Sequence, residues 1–258
     1  MIVNTKFEFC VDSPDFTIPI GAIHDDTTDL DYIKSIEEFF DNRKLTTLEL
    51  GCSGGRVVKD LVDRGHDAYG LEGTPFPMAL KRPAWVELYK KRLFTCDLSK
   101  PFELLNDDGE NMTFDAISHW EFLEHLPPSS LDYFHARLYV HLKDDGSIFS
   151  GYSPWGPTTN RDRFPEGDHR KTIAMDVVHH QSCFWREEWE ELYWNKFFNC
   201  HDYPLEGKLR EDGNEELQVF SEYIHLTKKN TPEVLNLALE TIRDYESLPC
   251  WNKEGSNG

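Results

Sequence analysis

Between Leu30 and Tyr152 the chain alternates short β-rich runs with stretches of helical periodicity, and this alternation restricts its fold more than any other feature. Leu30, Ile33, Ile36, Phe39 and Phe40 recur at helical spacing over residues 30–42. Leu45-Thr-Thr-Leu-Glu-Leu50 follows as a strand, and Val57, Val58, Leu61 and Val62 mark a helix that stops at Gly65. Asp67-Ala-Tyr-Gly-Leu-Glu72, Leu93-Phe-Thr-Cys-Asp97, Phe114-Asp-Ala-Ile-Ser-His119 and Gly146-Ser-Ile-Phe-Ser-Gly-Tyr152 read as four more strands. Between them stand a short helix from Pro75 to Lys81 and a longer one over residues 129–142, with Leu131, Phe134, Leu138 and Leu142 on its apolar face. Strands alternating with helices predict a parallel sheet covered on both faces, wound through right-handed crossovers, with ligands at the carboxyl ends of the strands. The expectation is a doubly wound α/β fold.

The rest of the chain breaks this rhythm. Residues 1–28 read as an irregular N-terminal cap segment and residues 102–113 as an acidic loop. Residues 153–182, with Pro154, Trp155, Pro157, Arg161, Arg163, Pro165, His169, His179 and His180, form a loop long enough to serve as an acceptor loop or lid. Trp185 to Trp194 reads as a helix, Cys200 to Pro204 and Leu217 to Leu226 as a closing pair of strands, and Thr231 to Tyr245 as a terminal helix capped by Thr231. All of this is expected to form one domain over residues 1–258, with its cofactor-binding core at 29–152 and its closing elements at 183–258.

Charge and cysteine usage narrow the partners. The 258 residues hold 27 Lys and Arg against 47 Asp and Glu, a formal charge of −20. Tracking phosphates needs a basic footprint, so the charge argues against nucleic acid as a partner. A hydrophobic fraction of 39%, with seven Trp and seventeen Phe, is enough for a packed core. The six cysteines include no Cys-x-x-Cys pair, and the start lacks a basic region followed by an apolar stretch; free thiols and a cytoplasmic location are expected. No apolar run approaches the ~18 residues of a membrane span.

The strongest chemical signal is Leu48-Glu-Leu-Gly51-Cys-Ser-Gly-Gly55-Arg-Val-Val58, between a strand and a helix. Small residues there let a ligand approach the backbone, and the helix start offers free N–H groups. Glu49, two before Gly51, suits a cationic ligand group and would repel a pyrophosphate. The segment resembles motif I of the class I S-adenosylmethionine-dependent methyltransferases, acid-x-Gly-x-Gly-x-Gly, read here as Glu49-x-Gly51-x-Ser53-x-Gly55 with Ser53 in place of the middle glycine. Glu72 ends the next strand, 21 residues after Gly51, where a carboxylate can accept from both ribose hydroxyls. Asp97 ends the third strand within Cys96-Asp-Leu98, where the resemblance implies contact with the adenine amino group. Ser118-His-Trp-Glu121-Phe-Leu-Glu124-His125-Leu-Pro127 is similar to the Glu-Val-Leu-Glu-His segment of many small-molecule members, which places His119 and Trp120 at the border of the adenosyl pocket. The resemblance covers about residues 30–152. It implies a seven-stranded, mostly parallel Rossmann-like sheet and S-adenosyl-L-methionine as cofactor, held by Glu49, Gly51, Cys52, Ser53, Gly55, Glu72, Gly73, Asp97, Leu98, His119 and Trp120.

Glu121, Glu124 and His125 also have the i, i+3, i+4 spacing of ligands on one helix face. Two methyltransferase groups, acting in ubiquinone synthesis and on small-RNA 3′ ends, hold magnesium with such a segment. The RNA group adds a His six residues before an Arg, as His180 stands before Arg186. Relatives without metal carry the same segment. The reading adopted is His125 or His180 as a metal-free general base, with a divalent metal left open. Arg161, Arg163, His169 and Arg170 form a cationic cluster that suits an anionic acceptor or plain solvation. Trp155, Trp185, Trp189 and Trp194 either stack on a sugar or aromatic acceptor or fill the core. The expected activity is methyl transfer to an oxygen of a small molecule or saccharide. Three alternatives stand beside it: a metal-assisted RNA 2′-O-methyltransferase, a nicotinamide-dependent oxidoreductase and a non-catalytic binding module. Ser53 and Arg56 occupy positions where the dinucleotide pattern needs glycine, and a mere scaffold has no need of Glu49, Glu72 and Asp97 together.

Overall fold

The computed structural model describes residues 1–14, 16–17, 19–24, 26, 28–154, 180–204 and 222–252. Its main sheet has seven strands in the order β4-β3-β2-β6-β7-β9-β8. These are β2 (Thr46–Leu50), β3 (Asp67–Glu72), β4 (Leu93–Thr95), β6 (Phe114–Trp120), β7 (Leu142–Tyr152), β8 (Phe198–His201) and β9 (Glu222–Lys228). The pairs from β4 through β7 are parallel, and β9 runs antiparallel to both β7 and β8. This is the mostly parallel α/β sheet expected from the sequence. The closing pair differs in position: β8 starts at Phe198, and β9 lies between β7 and β8. Residues 217–221 of the expected last strand fall outside the described residues.

Both faces of the sheet are covered, because strand residues alternate between two apolar clusters. Leu48, Leu50, Ile117, Ile148 and Tyr152 face one cluster with helix α6 (Leu131–His141) and the helix Pro232–Glu246. Ala68, Ala116 and Phe149 face the other with helix α2 (Leu30–Phe39) and helix α3 (Arg56–Asp63). Asp29 caps α2 by accepting from Tyr32 N at 2.8 Å, and Thr231 caps the terminal helix by accepting from Val234 N.

Four expectations are corrected. Residues 1–28 are not all irregular: β1 (Ile2–Thr5) and helix α1 (Ile20–His24) lie within them. The acidic loop contains β5 (Phe102–Leu105), which pairs antiparallel with β1 across about a hundred residues of chain, Ile2 opposite Leu105. The buried face of α2 is Tyr32, Ile33 and Ile36, whereas Leu30 is 59% exposed and Phe39 is 40% exposed. The expected Trp185–Trp194 helix begins at Arg186, with Trp185 at its cap, and widens into a π-type turn over Glu190–Trp194. That wider turn stacks Trp189 on Trp194 at 5.6 Å, and both indoles are fully buried, so they are core residues and not an acceptor platform.

Charged pairs fix the outer helices. Arg64 holds the Glu37 carboxylate with two hydrogen bonds, and His66 Nε2 stands 3.0 Å from it. The hydrogen bond from Arg64, ahead of the opposing effect of burial, keeps the Glu37 carboxyl down at about 2. A lowered folded pKa means stabilisation that is present above the ordinary value of 4.5 and lost as pH falls toward about 2. Glu37→Gln is therefore expected to lower the urea midpoint near neutrality and to converge with the unchanged protein in acid. Urea titrations at about pH 6 and about pH 3 check this, and an equal gap at both would overturn the linkage.

Candidate functional site

The site begins where β2 ends. Gly51, Ser53 and Gly55 have φ of 65°, 47° and 75°, so the turn into α3 passes three times through left-handed backbone. Space restricts it as well: a Cβ on Gly51 would lie 2.8 Å from the Phe122 ring, and one on Gly55 2.6 Å from Leu93. Ser53 accepts the left-handed conformation and is held by its own oxygens, with its Oγ donating to Gly21 O at 3.0 Å and its carbonyl accepting from Trp85 Nε1 at 2.8 Å. Serine thus stands where the motif has glycine because neighbours tie it down.

The strand register sets the acids at one end of the sheet. Leu50 lies opposite Leu71 and His119, and Glu72 opposite Thr95. Glu72 is buried, and its carboxylate accepts from Ser53 N at 2.9 Å and Thr74 N at 3.1 Å, clamping the turn to the β3 tip. Glu49 is buried beside Tyr32, whose phenol bonds Ser118. Cys52 is buried on the turn, and its thiol is pushed well up by burial and then by the charges of Glu72 and Glu49. It fills space as a protonated thiol. Gly73 accepts from Cys10 N at 2.9 Å, and a Cβ there would lie 2.8 Å from Cys10 Sγ, so the segment after β1 crosses the β3 tip. Phe7 O likewise accepts from Asp97 N at 2.9 Å. Asp97 is buried with Leu98, and its Oδ1 accepts from Ser99 N at 3.0 Å and Ser99 Oγ at 2.6 Å. Burial raises its carboxyl above the ordinary range against the pull of those bonds.

At the β6 tip the side chains part company. His119 is buried, its Nδ1 3.1 Å from Ser150 Oγ, and burial, followed by the nearby His135, lowers its imidazole to about 3. It is a neutral histidine in the apolar layer. Trp120 points to the opposite face and meets the Tyr32 ring edge-on at 5.0 Å.

Beyond Trp120 the chain is not helical as the ligand spacing supposed. Glu121 sits at φ 47° and donates its N–H to Gly151 O at 2.8 Å, and Leu123–His125 is a single 3₁₀ turn. The residues nonetheless converge. Glu124 is fully buried, and its Oε1 accepts from Ser153 N at 3.0 Å. Burial, then the neighbouring Glu121 carboxylate, pushes its carboxyl well above the usual range. His180 comes from far along the chain to meet His125 edge-on at 4.9 Å. Four hydrogen bonds hold it there: Gln181 N and Ser182 N donate to Glu124 O, Gln181 Nε2 to His125 O at 2.6 Å, and Ser182 Oγ to Leu126 O at 2.5 Å. One ligand atom each from Glu124, His125 and His180 lies within 4.8 Å of the others. His179, Arg161, Arg163, His169, Arg170 and Trp155 lie outside the described residues.

No protein-family model matches the sequence, and no curated protein matches it. The fold is similar to solved methyltransferases. A TehB-like S-adenosylmethionine-dependent methyltransferase from Corynebacterium glutamicum is 15% identical, with 77% of this chain and 88% of that one covered at a TM-score of 0.48. Magnesium protoporphyrin IX methyltransferase from Synechocystis, solved with bound S-adenosylhomocysteine, is 13% identical over 78% of this chain and 82% of that one, at 0.47. A Pyrococcus horikoshii protein is 14% identical over 87% and 96%, at 0.49. Among the described residues, no helix is long and apolar enough to cross a membrane, and no disulfide joins the cysteines.

Sequence reasoning missed Tyr32, Ser118, Ser153, Gln181 and Ser182. A tyrosine beside Ile33 and Ile36 was a usable signal for the first; the others depend on contacts between distant segments. Gln181→Ala removes one hydrogen bond holding the His125 peptide and is expected to loosen the 180–182 staple by about 1 kcal/mol. Imidazole proton spectra of His125 and His180 report it, through broadened or shifted signals with the global unfolding midpoint little changed. Unchanged spectra would mean that the staple does not set the geometry of the histidine pair.

Proposed function

We propose that this chain is an S-adenosylmethionine-dependent methyltransferase that acts on an oxygen of a small molecule or saccharide. The observation that supports this most is the pairing of two buried carboxylates, Glu49 and Glu72, around a left-handed glycine turn. The charges that act on Cys52, at the heart of that turn, are both negative. A diphosphate would be repelled there, whereas a ligand with a sulfonium, an ammonium and a pair of ribose hydroxyls fits the donor set.

The cofactor supplies an activated methyl group on a cationic sulfur. Glu49 is suited to hold the cationic methionine end. Glu72, with lone pairs left after binding Ser53 N and Thr74 N, accepts from the ribose hydroxyls. Asp97, with Oδ1 taken by Ser99, offers its other oxygen to the adenine amino group, and Leu98 lies next to it in the chain. Gly51, Cys52, Ser53, Gly55 and Gly73 keep the backbone within reach, and Trp120 borders the reacting end. The remaining task is alignment of the acceptor and removal of its proton, for which His125 or His180 is the base. Titration calorimetry with S-adenosylhomocysteine, followed by transfer of labelled methyl to acceptors in an extract, tests the reading. Absence of binding defeats it; binding without transfer to any acceptor leaves only the non-catalytic module.

One observation favours a second reading, in which the reaction is metal-assisted. Two carboxylates side by side at Glu121 and Glu124 need either a shared proton or a cation between them, and His125 and His180 complete a mixed nitrogen and oxygen donor set. Manganese titration monitored by paramagnetic broadening of the His125 and His180 ring signals separates the two. Selective broadening at sub-millimolar metal establishes the metal reading, and its absence leaves the imidazoles as metal-free bases.

A further inference from the structure

We propose that Trp120, Tyr203 and Tyr223 form the wall of an acceptor subsite that takes a saccharide ring; this rests on the methyl-transfer reading and names its acceptor class. Three neighbouring strands build the wall. Trp120 at the β6 tip lies opposite Gly151 of β7, and Gly151 lies opposite Tyr223 of β9. The two rings close over the glycine between them: a Cβ on Gly151 would lie 2.9 Å from Tyr223 Cε1 and 3.0 Å from Trp120 Cε3. Tyr203 adds the third side, 6.2 Å from Trp120 and 5.5 Å from Tyr223. All three residues are half-buried.

The wall and the histidine pair flank the same strand ends. Trp120 stands four residues before Glu124, and Gly151 two before Ser153, whose N–H binds the Glu124 carboxylate. An acceptor lying on the rings is therefore held at the same end of the sheet as the segment that carries the candidate base.

Ring geometry and polar groups select the ligand. Trp120 and Tyr203 are inclined at 86°, Trp120 and Tyr223 at 48°, and Tyr203 and Tyr223 at 46°. No two planes are parallel, so there is no slot for a flat aromatic acceptor, and the rings pack too closely together to enclose a cation. A single aromatic surface is what the C–H face of a pyranose uses, its weakly positive hydrogens meeting the negative ring face. The Tyr203 hydroxyl is buried and, among the described residues, has no hydrogen-bond partner. A buried phenol without a partner is costly, and a sugar hydroxyl can both donate to it and accept from it. Uncharged phenols at the wall and a net charge of −20 suit a neutral sugar and disfavour a phosphorylated or sulfated one.

The test is saturation-transfer NMR on the full chain with S-adenosylhomocysteine present, using methyl pyranosides of the gluco, galacto, manno and rhamno series as probes. Catechol and tetramethylammonium serve as rivals. At least one pyranoside is expected to show saturation concentrated on one ring face. Tyr203→Phe is expected to weaken it about 5–10-fold through loss of one hydrogen bond. Gly151→Ala, which displaces Trp120 or Tyr223, is expected to weaken it at least as much. Saturation of catechol or tetramethylammonium in place of every pyranoside overturns the proposal, as does pyranoside binding that neither substitution changes. Calorimetry with S-adenosylhomocysteine runs alongside: its failure removes the methyl-transfer reading, while failure of the pyranosides alone removes only the acceptor assignment.

Discussion

Glu72→Ala is expected to weaken S-adenosylhomocysteine binding by at least about 100-fold. Under the proposed function the Glu72 carboxylate accepts from two ribose hydroxyls, and each charge-assisted hydrogen bond contributes roughly 1.5–3 kcal/mol. Even the lower sum corresponds to about two orders of magnitude in affinity. The same carboxylate binds Ser53 N and Thr74 N, so alanine also unclamps the glycine turn from the β3 tip. Glu72→Gln separates the two effects because it keeps the volume and one acceptor oxygen. Its amide nitrogen can only donate, and it would face a backbone N–H that also donates, so affinity is expected to fall for this variant too, with less disturbance of the turn. Calorimetry measures both, with circular dichroism to confirm folding. Affinity within about threefold of the unchanged protein in either variant would falsify the placement of the ribose.

Asp115→Ala is expected to destabilise the fold by about 2–4 kcal/mol without touching the candidate site. Asp115 stands near the amino end of β6, its side chain 2% exposed. It accepts from Thr46 N at 2.7 Å, Arg43 at 2.7 Å and Lys143 at 3.0 Å, tying β2, β6 and β7 at the end of the sheet away from the glycine turn. Its removal strands a backbone N–H and leaves two cations without their common partner. Both cations reach solvent, which keeps the loss below that of a wholly enclosed pair. Burial alone would raise the Asp115 carboxyl, but the bond from Thr46 and the two cations outweigh it and hold it below its ordinary value of 3.8. The stabilisation is therefore complete above that value and lost as pH falls below it. Urea unfolding near neutrality should show the full deficit, and the two proteins should converge in strong acid. A deficit under about 1 kcal/mol near neutrality would show that the cations find other partners.

What the sequence discloses follows the range of the forces involved. The parallel strands and the Gly51–Gly55 turn were legible because alternation, β-rich runs and small residues are local properties. The β1–β5 ribbon was not, since each half is four residues long and its partner lies about a hundred residues away. Helix α2 was found with Ile33, Ile36 and Phe40 on its buried side, but Leu30 and Phe39 are exposed and Tyr32 was missed. Tyr32 is buried in place of Leu30 and Phe39 because the Trp120 ring and Ser118 await it. The Glu121, Glu124 and His125 segment was singled out on helical spacing, yet a left-handed residue and a 3₁₀ turn bring its side chains together. His180 was picked out by its distance from Arg186, but Arg186 itself pairs with Glu190 and Asp202. The backbone staples from Gln181 and Ser182 place that histidine, and no spacing rule encodes them.

The position of β9 bears on how the protein is made. Within the sheet β8 bonds only to β9, which comes later in the chain. As the polypeptide leaves the ribosome, Phe198–His201 therefore has no neighbouring strand to join until residues 222–228 have emerged. The nascent chain must carry an unfinished β7 margin while the stretch between Tyr152 and Glu222 is made, open to wrong pairings until the last strand slides in and seals it.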